Sequence, residues 1–392
     1  MSSDTQSKID QLLTRGVAEI IDKDNLLKKL QSGRVLRVKL GIDPTSPNIH
    51  LGRSIPLLKL KDFQDLGHQI ILLIGDFTGL IGDTSDKDSE RPMLSKETIK
   101  ANLERYVEQA GKILDISKVE VVYNSTWLSK LNYFDICEHA DLFSVNQFIS
   151  RENISKRLDE GKRVSLRELM YPLMQGYDSV ELKADVELGG TDQKFNLLAG
   201  RDLQRHYKQE PQDVLMLPIM EGLDGRKMSS SYGNGVNLLD TANDMFGKIM
   251  SLKDEFVITY FKLATRVDLD VVTKYESDLA NGINPRDIKI QLGKEIVRMY
   301  HSQEDADKAE QYFINTFTKK EIPDDITEFE ITDSNIVSVL IETGLVESKS
   351  EARRVLDQGG VKVNGEVVKD LDTTIDKGAI IQKGKMGFVK IK

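Results

Sequence analysis

The strongest constraint on the fold is an alternation of apolar runs and amphipathic segments over residues 34 to 83. The stretch "RVLRVKLGID" reads as a strand, "IPLLKLKDFQDLG" as a helix, and "HQIILLIGDFTGLIGD" as a second buried strand with its loop. This order forms a βαβ unit and predicts a parallel sheet with helices on both faces. Because ligands of such sheets bind beyond the carboxyl ends of the strands, we expect a binding site at "GIDPT" and "GDFTGLIGD".

The rest of the chain predicts helices, further strands and a separate end module. A chain of 392 residues is long enough for two or three domains. Residues 96 to 175 read mostly as helices, with "KETIKANLERYVEQAGKIL" the clearest. The sheet resumes around "KADVELGG" and "QDVLMLPIM", and helical patterns return from about 241 to 317. An acidic segment with the composition of a linker, residues 319 to 333, precedes two short amphipathic helices and a hairpin turn at "VNGEVV".

The charge of the chain is unevenly distributed. A net charge of −9 argues against nucleic acid as a general ligand of the whole surface. Residues 334 to 392 carry ten Lys and Arg against eight Asp and Glu, a net charge of +2, which leaves −11 for the rest. An acidic body with a mildly basic end module favours local contact with a polyanion.

Composition also excludes some classes of protein. The polar start "MSSDTQSKIDQ" lacks the apolar core of a signal peptide, and no apolar run reaches the roughly 18 residues of a membrane helix, so we expect a cytoplasmic protein. The single cysteine, Cys137, excludes an internal disulfide framework and is expected to be buried. The five histidines lack the paired spacing of a zinc site, and no metal-binding residues are predicted.

The connection "GIDPTSPNIHLG" between the first strand and its helix has the composition of an anion site. Gly41 and Gly52 permit close approach of a ligand to the backbone, and a helix that begins near Gly52 presents free N–H groups. Thr45 and His50 add donors. The stretch lacks the GxxxxGK[ST] pattern, so it is not a P-loop. A purely structural turn is an equally good interpretation of this stretch alone.

Two further stretches favour a functional interpretation. The loop "DGRKMSSSYGN", residues 224 to 234, is polar and contains Lys227. It reads either as a solvated loop or as a mobile element that closes a cation and several hydroxyls over polyphosphate. The segment "GGTDQ" sets a glycine pair beside Asp192 and Gln193, which suits a ribose or an amine.

The second stretch, residues 169 to 196, ends with this "GGTDQ" segment and begins with a helix that places three polar groups on one face of an otherwise apolar surface. Tyr171, Gln175 and Asp178 recur at helical spacing. Since a buried carboxylate without a partner is costly, we expect either that the helix is exposed or that a ligand supplies the partner. A core helix with internal hydrogen bonds is the alternative.

In this order, these stretches resemble those of the bacterial tyrosyl-tRNA synthetases, which are class I aminoacyl-tRNA synthetases, and the resemblance covers nearly the whole chain. "HLG" at residues 50 to 52 resembles the HIGH signature, and "KMSSS" at residues 227 to 231 resembles the KMSKS loop. Residues 334 to 392 resemble an S4 RNA-binding domain. The helix with Tyr171, Gln175 and Asp178 and the "GGTDQ" segment lie between the two signatures, as in the family.

The resemblance implies an α/β fold with a Rossmann-like parallel-sheet catalytic domain, a helical domain and a small α+β S4-like domain. The implied domains are a catalytic domain at 1–222 with a helical dimerisation insertion at about 115–165, a KMSKS-type loop and helical anticodon-arm domain at 223–318, a linker at 319–333 and the S4-like domain at 334–392. The implied reaction has two steps: L-tyrosine and ATP form tyrosyl-adenylate and pyrophosphate, and the tyrosyl group then passes to the terminal adenosine of tRNA(Tyr). Magnesium would accompany ATP. A homodimer is implied, with neither membrane nor DNA as a partner.

The resemblance also assigns roles to individual residues. The catalytic positions are Thr45, His50, Lys87, Arg91 and Lys227. The tyrosine-binding positions are Asp83, Tyr171, Gln175, Asp178 and Gln193, with Asp178 accepting from the phenolic hydroxyl. The ATP-binding positions are Gly41, Asp43, Thr45, His50, Gly52, Gly190, Asp192, Lys227 and Ser229, with Asp192 toward the ribose. The RNA-binding positions are Lys349, Arg353 and Arg354, for which a solvated helix face is the alternative.

Three positions depart from the family pattern. Arg53 stands at the second histidine of HIGH, Ser230 at the second lysine of KMSKS, and Lys39 where many members have a tyrosine.

Three other functions stay open: a tryptophanyl-tRNA synthetase, an RNA-binding protein that kept the scaffold and lost catalysis, and a nucleotidyltransferase outside translation. Asp178 and the S4-like module favour tyrosine over tryptophan, whereas Arg53 and Ser230 are the features that favour loss of catalysis.

Overall fold

The computed structural model describes residues 2–83, 95–103, 105–318, 326–346, 348–384 and 387–392. The chain forms two compact units, Met1–Asp307 and Lys308–Lys392. The domain limits proposed within the first unit stay a prediction. No helix in the described residues is long and apolar enough to cross a membrane.

Six strands of the first unit form one sheet and five strands of the second unit form another. The first six are β1 (Glu19–Ile21), β2 (Arg37–Ile42), β3 (Gln69–Ile74), β4 (Val119–Tyr123), β5 (Val186–Gly190) and β6 (Asp213–Leu217). The other five are β7 (Glu328–Phe329), β8 (Val361–Val363), β9 (Glu366–Val367), β10 (Ile380–Lys383) and β11 (Gly387–Ile391).

Helices connect these strands and form most of the remaining described structure. The helices up to the last strand of the first sheet are α1 (Ser3–Thr14), α2 (Lys23–Gln31), α3 (Leu51–Asp65), α4 (Thr78–Ile81), α5 (Lys96–Leu103), α6 (Tyr106–Ala110), α7 (Ser125–Leu128), α8 (Tyr133–Asp141), α9 (Val145–Ile149), α10 (Glu152–Asp159), α11 (Leu166–Leu182) and α12 (Lys194–His206). Those that follow are α13 (Ala242–Met250), α14 (Val257–Ala264), α15 (Leu269–Ala280), α16 (Pro285–Tyr300), α17 (Gln303–Phe313), α18 (Ile336–Glu342) and α19 (Lys349–Asp357).

The first sheet has the strand order β1-β6-β5-β2-β3-β4, in which β1 is antiparallel to β6 and the other neighbours are parallel. The chain runs outward from β2 through β3 to β4 and then returns to β5 on the other side of β2. The order therefore reverses between β2 and β5, and such a switch point opens a crevice at the carboxyl ends of the two strands. The predicted βαβ unit is confirmed as β2, α3 and β3.

One strand and one burial state differ from expectation. Strand β4 lies inside the region predicted as mostly helical, and its residues are half-buried or exposed at the sheet edge, so no continuous apolar run marked it. The helix predicted over "KETIKANLERYVEQAGKIL" contains α5 and α6, and α6 ends at Ala110. Cys137 is exposed, so the expectation that it is buried was wrong.

The second unit is a small sheet with two helices packed on it. Its order is β7-β11-β10-β8-β9, and its core contains residues of both helices and three strands, including Ile336, Leu356 and Ile381. The predicted hairpin is confirmed as β8 and β9, with Asn364 and Gly365 both at positive φ, as a two-residue turn between right-twisted strands requires. Residues 319–325 of the proposed linker lie outside the described residues, whereas β7, also in that segment, pairs with β11.

Candidate functional site

A cavity of about 210 Å³ lies at the carboxyl ends of β2, β3 and β5, at the switch point of the sheet. It combines backbone from the strand ends with polar side chains from α11 and the loops. Its lining residues are Leu40, Gly41, Ile42, Asp43, Thr45, Arg53, Pro56, Leu73, Gly75, Thr78, Asp83, Asn124, Tyr171, Gln175, Asp178, Gly189, Gly190, Asp192 and Gln193. Both loops expected at the site, "GIDPT" and "GDFTGLIGD", contribute to this lining.

Asp43 organises one wall of the cavity. Its carboxylate accepts hydrogen bonds from the Tyr171 hydroxyl at 2.9 Å and from Thr78 Oγ1 at 2.8 Å. Burial, followed by the charge of Asp43, raises the pKa of Tyr171 well above its ordinary value, so the phenol stays protonated. A Cβ at Gly75 would lie 2.0 Å from Asp43 Oδ1, which makes glycine necessary for this approach.

Asp178 lies on the same face of α11 as Tyr171 and is 2% exposed. Its Oδ1 accepts from Trp127 Nε1 at 2.7 Å, and its Oδ2 from Asn124 Nδ2 at 3.2 Å. This face of α11 is therefore buried, and the protein itself supplies hydrogen-bond partners for the Asp178 carboxylate. This outcome matches the alternative of a core helix with internal hydrogen bonds. Burial raises the pKa of Asp178 to about 7, opposed by nearby Lys39 and by the two hydrogen bonds.

A buried ion pair lies behind this face of α11. Lys39 on β2 and Glu187 on β5 are register partners in adjacent strands, and their Nζ and Oε1 atoms are 3.0 Å apart. The Lys39 ammonium also donates to Ser179 Oγ at 2.7 Å. Glu187 Oε1 accepts from Gln175 Nε2 at 3.1 Å, so the pair also fixes the amide of Gln175. Lys39 thus contacts α11 from beneath, and the cavity lining contains Gln175 but neither member of the pair.

His50 precedes α3 and is almost fully buried. Burial, together with the charges of Arg53 and Lys227, lowers its pKa to about 3, so the imidazole is neutral at physiological pH. The ring nitrogen Nδ1 is buried without a hydrogen-bond partner. The ring lies against Gly52, since a Cβ there would be 3.2 Å from Nδ1. A neutral imidazole can donate one hydrogen bond to an anion without carrying a charge into the site.

The two signature stretches pack against each other. The Leu51 amide donates to Val236 O at 2.9 Å, and the Gly52 amide contacts Met228 Sδ at 3.1 Å. Met228 and Asn234 are buried, and Asn234 Oδ1 accepts from the Ser229 amide at 2.9 Å. The "DGRKMSSSYGN" stretch is therefore partly anchored and is not a fully solvated loop.

Lys227 brings this loop to the cavity. Its ammonium lies 2.9 Å from Asp192 Oδ2, and Asp192 lines the cavity near the end of β5. A Cβ at Gly190 would lie 2.3 Å from Asp192 Oδ1, so this glycine permits the close approach of the carboxylate. Gln193 Oε1 accepts from the Gly190 amide at 3.2 Å. The structure thus brings a cation of the loop and a carboxylate of "GGTDQ" together.

The remaining predicted residues divide into three groups. Gly41, Thr45 and Asp83 line the cavity, as expected. Lys87 and Arg91 lie outside the described residues. The RNA-binding candidates on α19 are all exposed: Lys349, Arg353 and Arg354.

Three residues that shape the site were not predicted from the sequence. Asn124 and Trp127 follow β4, the strand that was not predicted, and no local pattern marks their approach to Asp178. Glu187 was visible as a charge within "VELGG", a buried strand, and together with Lys39 in "VKLGI" it was a signal for a buried pair.

Comparisons with known proteins agree with this geometry. The family model described as tRNA synthetases class I (W and Y) matches residues 31–318, and the Tyrosine–tRNA ligase SYY-like C-terminal domain matches residues 316–389. The tyrosine–tRNA ligase of Carboxydothermus hydrogenoformans is 47% identical, with 97% of each chain covered, and that of Shewanella oneidensis is 48% identical, with 98% of each covered. The chain belongs to the tyrosine–tRNA ligases of class I.

A solved structure supports the fold of this ligase. Tyrosyl-tRNA synthetase of Archaeoglobus fulgidus, crystallised with L-tyrosine, superposes with a TM-score of 0.63 at 24% identity, covering 78% of this chain and 100% of the other. The α/β architecture expected from the resemblance is confirmed.

Proposed function

We propose that this chain activates L-tyrosine with ATP to tyrosyl-adenylate and then transfers the tyrosyl group to tRNA(Tyr). The observation that carries the proposal is a cavity whose two ends differ chemically. Asp178, with its two donors, suits a phenolic hydroxyl. At the other end Thr45 lines the cavity, and His50 and Lys227 lie outside the lining, with Lys227 paired to the lining residue Asp192; these three groups suit a phosphate chain. The two curated relatives share this activity by name and match the chain over nearly its full length.

In the proposed complex, the amino acid lies between Asp178 and the wall formed by Asp43 and Tyr171. Asp83, Tyr171 and Gln175 supply oxygen acceptors for the ammonium group, and Gln193 adds an amide. This arrangement directs the tyrosine carboxylate toward the nucleotide. Asp192 and Gly190 bind the ribose, Gly41 permits close approach of ATP to the backbone, and Asp43 and Gly52 belong to the nucleotide-facing loop that the family resemblance implies.

The protein supplies no nucleophile, because the tyrosine carboxylate itself attacks the α-phosphate. Catalysis then rests on positioning and on stabilisation of the charge that develops on pyrophosphate. The Thr45 hydroxyl and neutral His50 donate to the phosphates, and Lys227 with Ser229 approaches from the loop. Lys87 and Arg91 join this set on the basis of the family resemblance. Magnesium would accompany ATP and help to neutralise the phosphate charge, since phosphate oxygens and water are its usual ligands in such sites.

Tyrosine-dependent ATP–pyrophosphate exchange tests this function, with phenylalanine and tryptophan measured alongside. Exchange with tyrosine alone supports the proposal, and charging of tRNA(Tyr) then measures the second step. Exchange with tryptophan alone would identify a tryptophanyl-tRNA synthetase. Absence of exchange in a folded protein that still binds tRNA would favour the RNA-binding alternative.

We further propose that α19 contacts tRNA phosphates. Reversing two charges, Arg353→Glu with Arg354→Glu, is expected to raise the KM for tRNA at least tenfold and to leave pyrophosphate exchange unchanged. The reason is that exposed cations contribute to nucleic-acid binding through counterion release, which also makes the affinity fall with salt. Charging kinetics at two salt concentrations measure both effects.

The matched control for this variant makes the same charge change on α2, where Lys23 and Lys28 are exposed. Lys23→Glu with Lys28→Glu is expected to change the KM for tRNA less than threefold. An equal loss in both double variants would mean that net charge, rather than α19, determines tRNA binding.

We also propose a homodimer, and a cytoplasmic location in keeping with the ATP and tRNA substrates. Four large apolar side chains in or beside the 115–165 insertion are strongly exposed: Tyr133, Phe134, Val145 and Leu166. An apolar group of this kind is typical of a protein–protein interface. We expect sedimentation equilibrium to give twice the 44.2 kDa chain mass at micromolar concentration.

Single substitutions test which surface forms the dimer. Leu166→Asp is expected to shift the protein to monomer by at least tenfold in the dissociation constant, because it buries an unpaired charge. Val35, which is 60% exposed outside this region, provides the control Val35→Asp. A dimer that resists Leu166→Asp but dissociates with Val35→Asp would place the interface elsewhere.

A further inference from the structure

We propose that Arg53 is a catalytic residue that binds the triphosphate of ATP and supplies the cation that the loop lacks at Ser230. The proposal rests on the function proposed above and names a role for a residue outside the family pattern. In this assignment Arg53 stabilises the leaving pyrophosphate. The bond that forms joins a tyrosine carboxylate oxygen to the α-phosphorus, and the bond that breaks joins that phosphorus to the oxygen bridging to the β-phosphate, which leaves with the electron pair.

The position of Arg53 is the first argument. It lies in the first turn of α3 and lines the cavity together with Thr45. Its Nη2 atom donates to Thr45 Oγ1 at 3.0 Å, and its Nη1 atom donates to the Tyr106 hydroxyl. The guanidinium therefore lies beside the hydroxyl that the proposed function assigns to the phosphates.

The partners of Arg53 are the second argument. A structural arginine is usually neutralised by a carboxylate, often in a bidentate pair. Within the described residues, both hydrogen bonds of Arg53 go to neutral hydroxyls, and no carboxylate forms an ion pair with it. A guanidinium has five N–H donors, so three remain for a ligand in the cavity. The half-buried charge thus has the chemistry of an anion site.

The contact with Thr45 has a consequence for the hydroxyl itself. Because Thr45 Oγ1 accepts from Arg53, its own hydrogen is free to point toward a ligand, and the hydroxyl is oriented as a donor. Arg53 and Thr45 would then donate to neighbouring oxygens of one phosphate chain.

Charge in the rest of the site is the third argument. The pKa of His50 is lowered first by burial and then by the positive charges of Arg53 and Lys227, so the imidazole is neutral. The loop residue that follows Lys227 by three positions is a serine, Ser230, so the loop contributes one fewer cation there than the family pattern has. Arg53 restores that charge from the first turn of α3, and its planar fork suits phosphate oxygens better than an imidazole does.

The test is a double-mutant cycle between positions 53 and 230 in the full-length chain. Arg53→Gln keeps the aliphatic stem and an amide donor but is shorter and removes the charge, and we expect the kcat of tyrosine-dependent exchange to fall about 10²-fold. Ser230→Lys should recover at least tenfold in the Arg53→Gln background and change the wild-type rate less than threefold. Arg53→Lys, which keeps a cation, should stay within about tenfold of wild type.

Tyrosine binding separates a catalytic role from a structural one. Trp127, the single tryptophan of the chain, donates to Asp178, so its fluorescence reports tyrosine binding without ATP. The proposal expects the Kd for tyrosine in Arg53→Gln to stay within about twofold of wild type. A parallel loss of tyrosine binding, an unchanged kcat, or an equal effect of Ser230→Lys in both backgrounds would overturn it. Wild-type exchange is measured first, so a failure of the proposed function is seen separately.

Discussion

Replacing Asp178 with asparagine is expected to lower kcat/KM for tyrosine about 10²-fold and to remove most of the preference for tyrosine over phenylalanine. The carboxylate is buried, and its partners Trp127 and Asn124 both donate to it. A phenolic hydroxyl can therefore complete the acceptor capacity of Asp178, whereas phenylalanine leaves it without this partner. Tyrosyl-tRNA synthetases are the standard example of such discrimination, at about 10⁵-fold. Pyrophosphate exchange with both amino acids measures the change.

The same carboxylate predicts a pH dependence of tyrosine binding. Its pKa of about 7 in the folded protein means that it becomes protonated as the pH falls through 7. Because the ionised form is the better acceptor for a phenol, the Kd for tyrosine should be about tenfold higher at pH 6 than at pH 8. Asp178→Asn should bind tyrosine equally weakly at both values.

The contribution of Asp178 to the stability of the free protein depends on pH in the opposite direction to tyrosine affinity. The pKa of Asp178 rises from 3.8 to about 7 on folding, so the folded state holds the proton more tightly than the unfolded state. The stability due to this group is fully present below pH 3.8 and is lost as the pH rises through 7. Because tyrosine binds more tightly when Asp178 is ionised, it should raise the Tm more at pH 8 than at pH 6.

Asp213 provides a matched control for Asp178. It is also a fully buried aspartate of the same sheet unit, but its partners are Lys29 and Asn25, outside the cavity. Asp213→Asn is expected to lower the Tm and to leave the ratio of tyrosine to phenylalanine activity unchanged. If Asp213→Asn alters the ratio of tyrosine to phenylalanine activity as much as Asp178→Asn does, Asp178 does not recognise the phenolic hydroxyl of tyrosine.

The part of the site built from local patterns was predictable from sequence. Strand β3 is an almost continuous apolar run, and β2 alternates apolar residues with Arg37 and Lys39 before Gly41, so the βαβ unit and its carboxyl edge followed directly. Tyr171, Gln175 and Asp178 share a helix face at fixed spacing, which needs no tertiary information. In each case the periodicity of one element determines which side chains lie together.

The rest depended on contacts between distant segments. Asn124 and Trp127 meet Asp178 across more than 50 positions, and only the pairing of β4 with β3 brings them there. Lys39 and Glu187 are separated by nearly 150 positions, and they pair because β2 and β5 are neighbours with these residues in register. A single charged residue is unexpected in a buried strand, but the strand order places Lys39 and Glu187 side by side, where they neutralise each other. Neither pair leaves a periodic signal in one stretch of sequence.

Replacing Lys227 with alanine is expected to lower the kcat for adenylate formation by 10² to 10³-fold, with the Kd for tyrosine unchanged. The ammonium pairs with Asp192 at 2.9 Å, and both side chains are partly exposed. An exposed pair of this kind contributes at most about 1 kcal/mol, so the ribose can take Asp192 and release Lys227 to the phosphates at little cost. An interaction that forms as charge develops on pyrophosphate raises kcat rather than substrate affinity.

A variant of the neighbouring residue, Arg226, distinguishes the role of Lys227 from a general effect of the positive charge of the loop. Arg226 is a cation in the same loop, but it pairs with Asp224 and its guanidinium lies over the ring of Tyr232. Arg226→Ala should therefore change kcat less than threefold, as measured by single-turnover adenylate formation. If Arg226→Ala loses as much activity as Lys227→Ala, the loop acts through its total charge, and the assignment of Lys227 to the phosphates fails. A large loss with Lys227→Ala alone would show that the position of this one ammonium, set by the buried anchors Met228 and Asn234, is what the chemistry requires.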